Sequence, residues 1–142
     1  MKNNTIISLW SPVHMKYIKM FDEERLLGVS PLNKNGILPS NWDSEKFLVI
    51  DVGYDKVALW NPHHKRFIKM FSDGSMGASP RKEDGKLPSN WTSEVFEVEQ
   101  RKECFAFRSN INQNFIKMTH DDKITSSNKI LSGEELFLIT EL

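Results

Sequence analysis

A single cysteine, Cys104, is all the thiol chemistry this 142-residue chain has. One thiol excludes an intramolecular disulfide framework and a cysteine-based zinc site, and it suits a reducing compartment. Charge of one sign is also missing, because 19 basic and 19 acidic side chains cancel. That balance gives no general attraction to a phosphate backbone or an anionic membrane surface, so neither nucleic acid nor membrane insertion is expected. Long hydrophobic runs are absent too. The first residues, MKNNTIISLWSP, carry one lysine and then a short apolar run broken by Trp10, Ser11 and Pro12, which makes neither a signal h-region nor a membrane span. The expected location is the cytoplasm, or outside the cell without a visible signal peptide. No GxSxG elbow, HExxH pair or phosphate-cradling glycine loop occurs. His63 and His64 are adjacent and point to opposite faces of an extended segment, with no HxH or HxxxH pair to support them. No metal, cofactor or enzymatic activity is expected.

What the chain does have is repetition. The stretch from Lys56 to Gln100, KVALWNPHHKRFIKMFSDGSMGASPRKEDGKLPSNWTSEVFEVEQ, has a counterpart on each side. Upstream, SLWSPVHMKYIKMF leads through GVSP and LPSNW to SEKFLVI; downstream, FAFRSNINQNFIKM leads through ITSS to GEELFLI. Trp10 and Trp60 are 50 residues apart, as are Met20 and Met70, and Met118 follows Met70 after 48. Three units result, about 5–54, 55–102 and 103–142, in a single domain. Each is too small to bury its own apolar face, so the three must share a core.

Within each unit the apolar runs are four to seven residues, rich in β-branched and aromatic side chains, and bounded by Asn-Pro, Ser-Pro, Asp-Gly and Ser-Gly. Such runs are strands. The pattern predicts them near 6–10, 16–21, 26–30 and 46–51, then 56–60, 66–71, 76–79 and 95–100, then 104–108, 114–119, 124–126 and 136–140. Helix is confined to a short turn around the LPSNW segments. Twelve strands in a threefold repeat of this length resemble an all-β β-trefoil, a six-stranded barrel closed at one end by three hairpins. Leu9, Leu59 and Phe107, then Ile18, Ile68 and Ile116, then Met20, Met70 and Met118, then Phe47, Phe96 and Phe137 recur in every copy and form the expected core. Lys19, Lys69 and Lys117 alternate with them and are expected on a solvated strand face.

The first two copies share more than the third has. Trp10 and Trp60 end the first strand, Pro12 and Pro62 follow, and His14 and His64 sit in the turn; Gly36, Leu38–Trp42 and Glu45 match Gly85, Leu87–Trp91 and Glu94. The third copy has Arg108 and Asn112 at the tryptophan and histidine positions and lacks the glycine-to-tryptophan segment. Loops on a rigid β scaffold are where binding residues usually lie. A pyranose stacks its C–H face on an aromatic ring and needs fixed donors and acceptors for its hydroxyls. The candidate sugar-binding residues are therefore Trp10, Ser11, His14, Asn35 and Trp42 in the first unit, and Trp60, Asn61, His64, Asp84 and Trp91 in the second.

The order of ALxN or SLW, a basic turn, a (Y/F)I strand, a small-residue strand and a final ExF strand resembles the fascin-like group of β-trefoils across nearly the whole chain. That group implies the trefoil fold, and trefoils of this kind include carbohydrate-binding lectins and actin-bundling modules. Ricin-type lectins carry Gln-x-Trp in the last strand, whereas this chain reads Glu45-Lys46-Phe47, Glu94-Val95-Phe96 and Glu135-Leu136-Phe137. A sugar site would have to be built from the Trp/His loops instead. The expectation is a β-trefoil lectin with up to two glycan sites, whose partners are glycans or glycoconjugates. The alternative is a fascin-like module binding actin or another protein, and a homodimer is a further route to bivalency.

Overall fold

The first two strands of every repeat are joined by one local device, and it accounts for their like geometry. In repeat 1 the Ser11 hydroxyl accepts the His14 N–H at 3.2 Å, the Ser11 carbonyl accepts the Met15 N–H at 2.7 Å, and Met15 turns the chain at φ 56°. Asn61, His64 and Lys65 (φ 60°) repeat this in the second unit, and Ser109, Ile111 and Gln113 (φ 65°) in the third. A short polar side chain before the turn substitutes for the missing ladder bonds.

The computed structural model describes all 142 residues. Its strands are β1 Ile6–Ser11, β2 Lys16–Met20, β3 Leu27–Val29, β4 Phe47–Gly53, β5 Lys56–Asn61, β6 Arg66–Met70, β7 Met76–Ala78, β8 Phe96–Arg101, β9 Cys104–Ser109, β10 Phe115–Met118, β11 Ile124–Ser127 and β12 Leu138–Glu141. β1 pairs with β4 and β12, β4 with β5, β5 with β8, and β8 with β9, all antiparallel. Phe105 and Phe137 exchange two backbone bonds of 2.9 Å, joining β9 to the start of the last strand. Six strands thus close a ring and leave no free edge. The hairpins β2–β3, β6–β7 and β10–β11 form the cap, where β3, β7 and β11 meet one another.

Alternation along each strand sends one set of side chains inward. The four apolar sets that recur in every repeat are buried to 1 % exposure or less and belong to one cluster. The last strand of each unit begins at Phe47, Phe96 and Leu138, slightly later than the pattern predicts. The preceding residues are held in turns. In repeat 1 the turn is a single 3-10 coil, Asp43–Glu45, just beyond LPSNW.

Candidate ligand-binding pockets

Glu45, Glu94 and Glu135 each stand two residues before the inward phenylalanine of their repeat, in the turn that leads into its last strand. They are 3 %, 2 % and 0 % exposed. A buried carboxylate is costly unless donors replace its water. Glu135 has such donors: the N–H groups of Leu131 and Ser132, each 3.3 Å from Oε1. Glu45 and Glu94 have no counterpart to these bonds. Beyond its own N–H, the nearest help for Glu94 is the Lys69 ammonium, 3.9 Å from Oε2, and Lys19 plays the same part beside Glu45. Burial pushes both carboxyls above the ordinary range, and the lysines pull back only in part.

Each of these two carboxylates lines a polar pocket. The first, about 210 Å³, is lined by Lys19, Pro31, Asn41, Trp42, Asp43, Ser44 and Glu45. The second, about 190 Å³, is lined by Lys69, Pro80, Asn90, Trp91, Thr92, Ser93 and Glu94. The two sets correspond position by position, and the chemical difference is Asp43 against Thr92. Asp43 is itself tied to Lys46 at 2.8 Å, which holds its carboxyl low.

The sequence shapes both pockets the same way. Pro39 and Pro88 accept the backbone N–H of Trp42 and Trp91 at 3.1 and 3.0 Å, which sets the turn that brings each indole to its wall. Trp91 rests edge-on against Phe67, with ring centroids 6.3 Å apart. Lys19 and Lys69 extend over Phe21 and Phe71 at 5.5 and 5.1 Å, so their ammonium groups are steered by ring faces. These lysines are therefore pocket walls rather than a free solvated face. Lys117 of repeat 3 instead reaches Glu134 at 3.7 Å, and no cavity forms there.

The structure divides the predicted residues. Trp42 and Trp91 line the pockets. Trp10 and Trp60 do not, because their indole N–H groups donate to the carbonyls of Asn33 and Lys82, both at 3.0 Å, and Gly36 and Gly85 lie against their rings. A Cβ on Gly85 would stand 3.0 Å from the Trp60 ring, so only glycine allows this contact. Asn35 and Asp84 accept the N–H of Ile37 and Lys86 at 3.0 Å and shape their own loops. Ser11 and Asn61 are fully buried, and the Asn61 amide donates to the carbonyls of Asp43 and Lys46 at 3.0 and 2.9 Å. His14 contacts Glu134 across repeats at 2.5 Å, and His64 contacts Ser44 at 2.9 Å. Burial, with His63, Arg66 and Arg81 nearby, pushes the His64 imidazole down. Of the ten predicted residues, Trp42 and Trp91 thus fall in the pockets, and the other eight make loop and turn contacts outside them. Glu45, Glu94, Lys19 and Lys69 line the pockets without having been among the predicted residues, although a glutamate two residues before the core phenylalanine in all three copies was a readable signal.

A larger cavity, about 440 Å³, lies at the β4–β5 turn between Asp51, Tyr54, Asp55, Val98 and Phe105. It contains none of the predicted residues and occurs once.

No protein-family model matches the sequence, and no curated protein matches it. Solved structures do match its shape. A Polyporus squamosus lectin, bound to the human-type influenza-binding epitope Neu5Aca2-6Galb1-4GlcNAc, superposes with a TM-score of 0.75 at 11 % identity; all of this chain covers 50 % of that one. The designed threefold-symmetric protein ThreeFoil gives 0.74 at 10 % identity, with 96 % of this chain and 99 % of that chain covered. The BEL β-trefoil gives 0.76 at 12 % identity, covering 100 % of this chain and 96 % of that chain. The chain spans half the length of the Polyporus lectin, and likeness at such identities carries fold alone. The closed six-stranded barrel, its three-hairpin cap and these superpositions make the chain a β-trefoil.

Proposed function

We propose that this protein is a non-enzymatic glycan-binding protein with two sites, one in repeat 1 and one in repeat 2. The observation that carries the reading is the pocket built twice. Each copy puts an indole, a lysine, an asparagine and a buried glutamate around a space suited to a small polar ligand, in the two repeats that keep the aromatic loop. An aromatic wall with fixed donors and acceptors is what a sugar ring requires. The trefoil lectin bound to a glycan epitope lends support at the level of fold. A glycan array with purified protein, run with and without chelator, tests the reading. A narrow set of bound glycans, insensitive to chelator and lost in Trp42→Ala with Trp91→Ala, is expected; unchanged binding in that folded variant would remove the pockets from the account.

A second reading, a protein-binding module, is favoured by one specific observation. Val13, Leu32 and Ile37 are 49 %, 51 % and 69 % exposed in repeat 1. The matching positions of repeat 2 are His63, Arg81 and Lys86. The fold accepts charge there, so the apolar side chains are not needed for folding. Cosedimentation with actin filaments checks it, with Leu32→Arg and Ile37→Lys expected to abolish pelleting.

A further inference from the structure

The three repeats contain an internal control for ligand chemistry. All three bury a glutamate at the same place, but only Glu135 is supplied with donors by its own chain. In the other two repeats the shortened-loop donors are absent and a pocket stands there instead. Glu45 and Glu94 open onto these pockets, where water meets their oxygens, so a ligand that displaces that water must replace it with hydroxyl donors. The charge of each pocket limits the ligand further. In repeat 2 one carboxylate, Glu94, faces one ammonium, Lys69, and the pocket is neutral overall. In repeat 1 Glu45 faces Lys19, and the extra carboxylate, Asp43, is cancelled by Lys46.

We infer that each pocket takes one uncharged terminal pyranose by two neighbouring hydroxyls, which donate to Glu45 or Glu94 while the lysine donates to a hydroxyl oxygen. This rests on the glycan reading above. A hydroxyl both donates and accepts, so a vicinal pair satisfies a carboxylate and an ammonium together. In a pocket whose carboxylate and ammonium already balance, a carboxylated or amino sugar gives up the water around its charge without a net opposite charge to replace it. Pocket volumes of about 190 and 210 Å³ lie below the roughly 300 Å³ at which drug-sized sites begin, so each holds one ring while the rest of a glycan stays outside.

Calorimetric titration distinguishes the outcomes. The probes are galactose, mannose and N-acetylglucosamine as neutral sugars, glucuronic and N-acetylneuraminic acids as acidic ones, and glucosamine as the amine. At least one neutral sugar is expected to bind at two sites per chain, and at least tenfold more tightly than its charged counterparts. Glu45→Gln and Glu94→Gln should each remove one site, as should Asn41→Ala and Asn90→Ala on the exposed rims, while Lys117→Gln should leave both. Tighter binding of an acidic or amino sugar, with glycan binding otherwise present, would overturn the neutral-diol assignment alone. So would full affinity in the folded Glu45→Gln, Glu94→Gln double variant. Silence of every sugar and of the array would overturn the lectin reading and this inference with it.

Discussion

Tyr17 is fully buried and its hydroxyl has no partner. Phe67 and Phe115 hold the same place in the other repeats, so the barrel does not need the oxygen. Burial first and the neighbouring Glu45 second push its phenol up. Tyr17→Phe is expected to stabilise the protein by about 1 kcal/mol in urea unfolding, since it deletes an orphaned polar atom and keeps the ring. The glutamates give predictions of opposite sign. Glu135→Gln weakens two charge-assisted bonds and is expected to cost about 1–2 kcal/mol. Glu94→Gln removes a charge that burial disfavours and is expected to leave stability at neutral pH unchanged or higher. For a carboxyl raised in the folded state, the fold binds the extra proton, so stability rises as pH falls through the folded-state value toward the unfolded one. Urea midpoints across mildly acidic pH should show that rise in the parent and lose it in the Glu45→Gln, Glu94→Gln pair. At lower pH Glu134 acts the other way. Burial would raise it, but the His14 hydrogen bond and charge, helped by Lys117, hold it down, so its contribution is lost as acid protonates it. Recurrence made these glutamates legible in the sequence, because Glu45, Glu94 and Glu135 each precede a core phenylalanine by two residues. The His14–Glu134 contact was not legible, since it joins residues 120 apart through closure of the barrel.

Asn61 links elements rather than filling a site. From the end of β5 it holds its own turn through the His64 N–H and reaches back to the carbonyls of Asp43 and Lys46, which bracket the 3-10 coil carrying Glu45. Asn61→Ala is expected to cost about 2–3 kcal/mol, as several buried groups lose their partner at once. Because the coil forms one side of the repeat-1 pocket, the same change should weaken ligand binding there and spare the Trp91 pocket, which titration can resolve. The sequence placed Asn61 among ligand residues because Asn beside Trp suits sugar chemistry. The structure gives its amide to the preceding repeat from a strand end, a relation set by sheet order and not by neighbours in the chain. Trp10 and Trp60 follow the same logic: their covers, Gly36 and Gly85, lie 26 and 25 residues away, at the tips of loops whose course depends on φ of +66°.

One core serves all three repeats, since Met20, Met70 and Met118 belong to the same buried cluster. Truncating any of them to alanine is expected to cost about 2–5 kcal/mol and to shift a single transition without releasing one repeat. Circular dichroism, which sees all strands, and tryptophan fluorescence, which sees repeats 1 and 2, should move together. Recurrence made this architecture readable, because only a shared interior requires the same apolar residue in every copy. The register of the barrel's seam was beyond such reading, for no repeat sets which residues meet across it. β1 and β12 run antiparallel with Ile7 opposite Glu141 and Trp10 opposite Leu138, and the Leu142 N–H reaches the Ile6 carbonyl at 2.8 Å. Both chain ends therefore leave from the same end of one ladder. A pull on the two termini would load its bonds one at a time, as in opening a zipper, so the molecule should yield mechanically at this seam first, whatever its resistance to urea.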